Sequence, residues 1–166
     1  NPKTFYRSVS QEAAAQIEAF DDTWHWSILS EEAFDEVMHS GNMKAAELLR
    51  TLRSFLGEND MMAYIAMMAV RMLELHRVLK DTGSLYLHCD PTASHYLKLV
   101  LDSVFGPENF RSEIVWKRTS AHNSSKRWGP IHDILFFYSK TDRITWNKVY
   151  QSYDDTYVSK SFRYSN

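Results

Sequence analysis

The chain has 166 residues and a mass of 19.5 kDa, with 44% apolar and 24% charged residues, five glycines, four prolines and one cysteine. That is the usage of a single globular domain, and it excludes collagen-like, low-complexity and disordered chains. Nineteen basic against twenty-one acidic residues leave a net charge of −2, which by itself argues against nonspecific nucleic-acid binding.

The chain begins Asn1-Pro2-Lys3-Thr4, without the basic flank and apolar core of a signal peptide, and its lone cysteine cannot form an internal disulfide. An intracellular protein is expected. Ser10 is placed to cap a helix over 11–20, and Ser30, before Glu31-Glu32, to cap another. A further helix is expected over 43–56, ending at Gly57, and the longest starts at Asn59 or Asp60. In the longest helix Met61, Ile65, Met68, Met72, Leu75 and Leu79 recur at spacings of three and four, an apolar stripe that suits a core or, because methionine adapts its shape, a partner groove. Arg71, Glu74, His76 and Arg77 interrupt the same stretch, so no membrane span is expected.

At Lys80-Asp81-Thr82-Gly83 the period changes. Residues 84–89 read as a strand without polar alternation, the pattern of one covered on both faces. Asp90-Pro91 then combines an N-cap acceptor with a residue that needs no N–H, and opens a helix whose buried side is Leu97, Val100, Leu101 and Val104, up to Gly106. Two β-rich runs follow at 111–118 and 133–138, with a third at 143–149. Helix, strand, helix and then adjacent strands indicate an α/β sheet with an antiparallel edge strand, flanked by helices.

Open α/β sheets bind ligands beyond the carboxyl ends of their strands, which directs attention to His88, Cys89 and Asp90. Asp90 also reads as a plain helix cap and His88 as a packed histidine. Cys89 has no partner at metal-ligand or redox spacing, so no metal is expected, and no phosphate-binding glycine motif or hydrolase elbow is present. Charge is unevenly spread: residues 1–79 carry seven basic against twelve acidic residues, residues 80–166 twelve against nine. Five basic residues (Arg111, Lys117, Arg118, Lys126 and Arg127) against Glu113 fall between Arg111 and Ile131. This reads either as a solvated loop or, with Trp116, Trp128, His132 and several hydroxyls and amides interleaved, as a nucleic-acid contact of cations for phosphates and rings for bases.

Five segments in order carry a resemblance: Phe20-Asp21-Asp22-Thr23-Trp24-His25-Trp26, Leu79 through Asp90, Phe105-Gly106 with Asn109-Phe110, Ile114-Val115-Trp116-Lys117-Arg118, and His132-Asp133-Ile134-Leu135-Phe136-Phe137-Tyr138. Together they resemble the N6-adenine/N4-cytosine DNA methyltransferases in which the catalytic motif comes early and the cofactor motif late, as in type III modification subunits. The resemblance implies a partial Rossmann-like, S-adenosylmethionine-dependent fold and a flipped adenine or cytosine whose exocyclic amine is methylated. It assigns His88, Asp90 and His132 to the target-base pocket and Lys117, Arg118, Lys126, Arg127 and Trp128 to DNA. Asp22, Trp24 and Trp26 fall beside the cofactor or the target pocket or, equally, the Trp rings anchor a helix in the core. It further implies double-stranded DNA as partner, a restriction subunit or second methyltransferase chain as a further one, and a cytoplasmic location in a bacterium, archaeon or phage. The family's Asp-Pro-Pro-aromatic motif and its glycine-rich methionine loop are both absent from the sequence. The chain is therefore expected to be a middle piece of such an enzyme, inactive alone: a helical segment over 1–58, an α/β core over 59–149 with a DNA-facing loop at 117–131, and an extension over 150–166. Alternatives are a noncatalytic DNA-binding module or a subunit that completes its site with another chain.

Overall fold

The structure, a computed structural model, describes residues 24–118, 123–124, 126–129, 131–150, 152, 154, 156–157 and 160. Four helices, α1 (Ile28–His39), α2 (Met43–Leu56), α3 (Asp60–Val78) and α4 (Pro91–Phe105), surround one core together with β1 (Ser84–Cys89), β2 (Phe110–Lys117) and β5 (His132–Ser139). A short hairpin of β3 (Asn123–Ser124) and β4 (Arg127–Trp128) lies in the connection between β2 and β5, and a 3-10 turn (Pro107–Asn109) joins α4 to β2. The helix expected over 11–20 lies outside the described residues. Among those residues, no helix is long and apolar enough to cross a membrane.

Local chemistry sets most boundaries. Asn42 and Asn59 accept the amides of Ala45 and Met62 at 3.0 and 2.9 Å, and Asp90 accepts those of Thr92 and Ala93 at 3.0 and 3.3 Å. Each such cap is worth about 1 kcal/mol. Gly106 ends α4 at φ +88°, a conformation that a Cβ would strain. Ser30 is not a cap: Ser27 is, and Ser30 sits three residues into the turn, where its Oγ accepts the Ser27 amide at 3.3 Å. Ser30 directly precedes Glu31-Glu32 whereas Ser27 is followed by Ile28-Leu29, so the position of the acids points to the wrong serine.

α3 is the central helix, against α1, α2 and α4. Ile65, Met68 and Met72 are buried as the stripe requires and Leu79 packs against the core, but Leu75 is 40% exposed. The buried surface turns instead through Met62, Ala63, Ala66 and Ala69, because small residues let neighbouring helices approach closely.

The three-stranded sheet has the order β1-β5-β2, and both pairings are antiparallel. The reversed strand is thus central among the described strands, not an edge as expected from sequence; β1 and β2 run parallel to one another with β5 between them. Nor is β1 covered on both faces. Leu85, Leu87 and Cys89 turn toward α4 and the core, whereas Tyr86 is 53% exposed on the opposite face. The run at 143–149 forms no strand; it continues irregularly past β5, and its Trp146 ring lies 5.9 Å from Phe137. It cannot fold back as a hairpin on β5, because both edges of β5 are already taken by β1 and β2.

Candidate nucleic-acid interface

At the carboxyl end of β1 the three strands bring separate parts of the chain together. In register, Cys89 lies opposite Ile134, Trp116 opposite Asp133, and Lys117 opposite His132. His88, Lys117, Arg118 and His132 therefore share one end of the sheet. Strand alternation then divides them between its faces. His88, Asp133, Trp116 and Arg118 belong to the outer face, while His132 and Lys117 have the opposite parity.

The outer-face group centres on Asp133, which is 7% exposed. Its Oδ2 accepts from His88 Nε2 at 2.9 Å, and its Oδ1 accepts from Arg118 Nη1 at 3.2 Å. The Arg118 amide also donates to the Ile131 carbonyl at 2.9 Å, fixing the backbone where β2 ends. Burial alone would raise the Asp133 carboxyl, but the hydrogen bonds from His88 and Arg118, with the guanidinium charge, outweigh it and hold the carboxyl below its ordinary range. The two partners project outward, with side chains 60% and 55% exposed, and Trp116 beside them is 59% exposed. A ring, an imidazole and a guanidinium thus face solvent together, a set suited to a base and its phosphate.

The other sequence-expected residues have distinct settings. The Asp90 carboxylate is committed to the first turn of α4. Lys126 is exposed between β3 and β4, and the backbones of Arg127 and Trp128 form β4. Asp22 lies outside the described residues. Trp24 packs on Tyr64 at 5.8 Å, and Trp26 donates its indole N–H to Glu31 at 3.1 Å under the Arg53 guanidinium. Burial, with the Asp90 charge adding to it, pushes the Tyr64 hydroxyl up. Burial, followed by the charges of Asp90, Asp133 and Glu113, drives the Cys89 thiol up to about 11, leaving it protonated and a poor nucleophile at neutral pH. A groove of about 530 Å³ on the helical side is lined by Phe34, Arg50, Arg53, Ser54, Gly57 and Glu58, with no residue from the sheet.

Sequence reasoning did not single out Asp133 or Tyr64. Asp133 lies inside one of the five segments that carry the resemblance, yet its role depends on the β1–β5 register, which no local pattern encodes. Among the described residues, no three His, Cys, Asp or Glu side chains are grouped to hold a metal ion.

Residues 42–166 match the DNA methylase family of N6/N4 enzymes. The chain belongs to this family. The type II methyltransferase M.EcaI of Enterobacter cloacae is 30% identical over 60% of this chain and 22% of its own length, and M.KpnI of Klebsiella pneumoniae is 32% identical over 48% and 19%. The Mod subunit of the type III restriction-modification enzyme StyLTI of Salmonella typhimurium is 30% identical over 56% of this chain and 14% of its own. The matched region of the chain thus spans less than a quarter of the length of each of these relatives. Its helices and small antiparallel sheet are consistent with an α/β methyltransferase domain.

Methyltransferases take their methyl group from S-adenosylmethionine, and the described residues do not fit its methionine part. Gly41, Gly57 and Gly106 have positive φ and follow helix ends, and a Cβ at Gly83 would meet Leu79 and the Lys80 carbonyl at 2.8 Å. The turn after β1 is Asp90-Pro91, with no glycine to let a ligand approach the backbone.

Proposed function

We propose that this chain forms the DNA-contacting wall of a DNA methyltransferase that modifies the exocyclic amine of adenine or cytosine. The observation that carries the reading is the grouping of His88, Trp116 and Arg118 around buried Asp133, at the sheet end from which the basic β2–β5 connection departs. Lys117, Arg118, Lys126 and Arg127 contact phosphates, and Trp128 adds a ring for stacking. His88 borders the flipped base from the outer face, with Asp90 at the α4 cap and His132 across the same end of the sheet closing its rim, while Asp22, Trp24 and Trp26 stand on the cofactor side. The sheet is the β1-β5-β2 portion of a larger Rossmann-like sheet, and duplex DNA is the substrate. The Mod relative supports a restriction subunit as a further partner.

The chain is inactive by itself, because neither the amine-holding motif nor the glycine-rich loop is in its sequence. Near-attack positioning is worth roughly 7–11 kcal/mol in favourable cases, and the chain has no evident means of supplying it. Two measurements test the reading. Replacing Lys117, Arg118, Lys126 and Arg127 with alanine should weaken duplex binding and lower the slope of log affinity against log salt by roughly 0.9 for each phosphate no longer neutralised. An unchanged slope returns the connection to a solvated loop. Incubation with labelled S-adenosylmethionine and unmethylated duplex should leave the DNA unlabelled; label transfer that depends on His88 and Asp90 would overturn the assignment of inactivity.

A further inference from the structure

We propose that Asp133 is a positioning residue: a single buried carboxylate holds the His88 ring and the Arg118 guanidinium as one unit, fixing the base-facing group relative to the phosphate-facing one. This role rests on the DNA-contact reading above and adds to it a residue that itself touches no DNA.

An ordinary surface ion pair has two wet ends, each free to change rotamer, and contributes little. This arrangement is asymmetric. The anion is 7% exposed and comes from β5, the strand paired on both sides, while its partners come from β1 and from the residue that follows β2, and their side chains are more than half exposed. Each carboxylate oxygen serves one partner, at 2.9 Å to Nε2 and 3.2 Å to Nη1, so neither partner displaces the other. Because an ionised carboxylate only accepts, the neutral His88 ring must carry its proton on Nε2 and leave Nδ1 as an acceptor toward solvent. Arg118 keeps further donors in its planar fork beyond the one given to Asp133, so it can meet a phosphate without leaving the carboxylate. Trp116, opposite Asp133 in register, presents its ring beside the pair.

Asp133→Asn separates positioning from simple electrostatics. Removing a negative charge beside DNA should tighten binding if charge alone matters. If Asp133 positions Arg118, the variant should instead bind a mixed-sequence duplex more weakly by about tenfold, within the range for groups coupled through one network, and the loss should vanish in an Arg118→Ala background. Equal or tighter binding by D133N, or an undiminished loss in that background, overturns the proposal. A second measurement needs no variant: ¹⁵N shifts of His88 in the wild-type chain at pH 8 should report the Nε2–H tautomer, and an Nδ1–H tautomer overturns the proposal even if D133N fails to fold. The two readings fail separately. Duplex binding by wild type with no salt dependence removes the DNA interface, whereas the tautomer still decides whether Asp133 holds His88.

Discussion

The two faces of the β1-β5-β2 sheet are built from the same strands, yet one is a core and the other a working surface. Leu85, Leu87, Ile134, Phe136 and Tyr138 alternate onto the inner face, where α4 covers them and Tyr138 is fully buried. Tyr86, His88, Asp133, Ile114 and Trp116 alternate onto the outer face, which the described residues cover mainly through a stack of Tyr86, Phe137 and Trp146 with centroids 4.5 and 5.9 Å apart. Neighbours on one strand therefore have opposite chemistry: Cys89 is buried with an inert thiol, while His88 reaches solvent from an anchored ring. Along β1, parity decides which residues are available to a ligand.

The contrast can be broken by mutation. Phe136→Ala on the inner face should cost roughly 3–5 kcal/mol, read by denaturant melts, because it opens a cavity under α4. Tyr138→Phe should cost roughly 1.5–3 kcal/mol, since its hydroxyl donates to Asp102 at 2.6 Å while Lys98 holds the same carboxylate. Tyr86→Ala on the outer face should cost only about 1 kcal/mol, the scale of one aromatic pair. Equal losses at Phe136 and Tyr86 would erase the distinction between the faces. The smallest effect is in acid. The Asp133 carboxyl lies below its ordinary value of 3.8 in the folded chain, so its contribution is present above that value and fades as pH falls through the folded one. Acid melts of D133N should lack this component, and superimposable acid profiles would mean that the outer pair contributes nothing to folding.

What was legible in the sequence was local. Gly57, Asn59, Asp90-Pro91 and Gly106 mark their helix ends because a cap or a positive φ acts within a few residues, and β1, β2 and β5 lie where their β-rich runs fall. Where the outcome depended on distant packing, the sequence was insufficient. The phase of α3 turned on alanines chosen by neighbouring helices, 143–149 had β-forming residues but no edge of β5 to fold back on, and the central place of β5 follows from pairing order. The site divides likewise: His88 and Arg118 were visible from type and position, whereas Asp133 acquires its role only through cross-strand register.

The central position of β5 has a consequence for how the domain is made. β5 is the last of the three described strands to be synthesised, so the β1 and β2 edges that it joins emerge before their common partner, while α1 to α3 need only short-range contacts. The helical layer can form during elongation, and the sheet must wait for residue 139. Until then two apolar strand edges stay open to pairing with other chains, and the interval between synthesis of β2 and of β5 is the window in which this domain is most prone to aggregate.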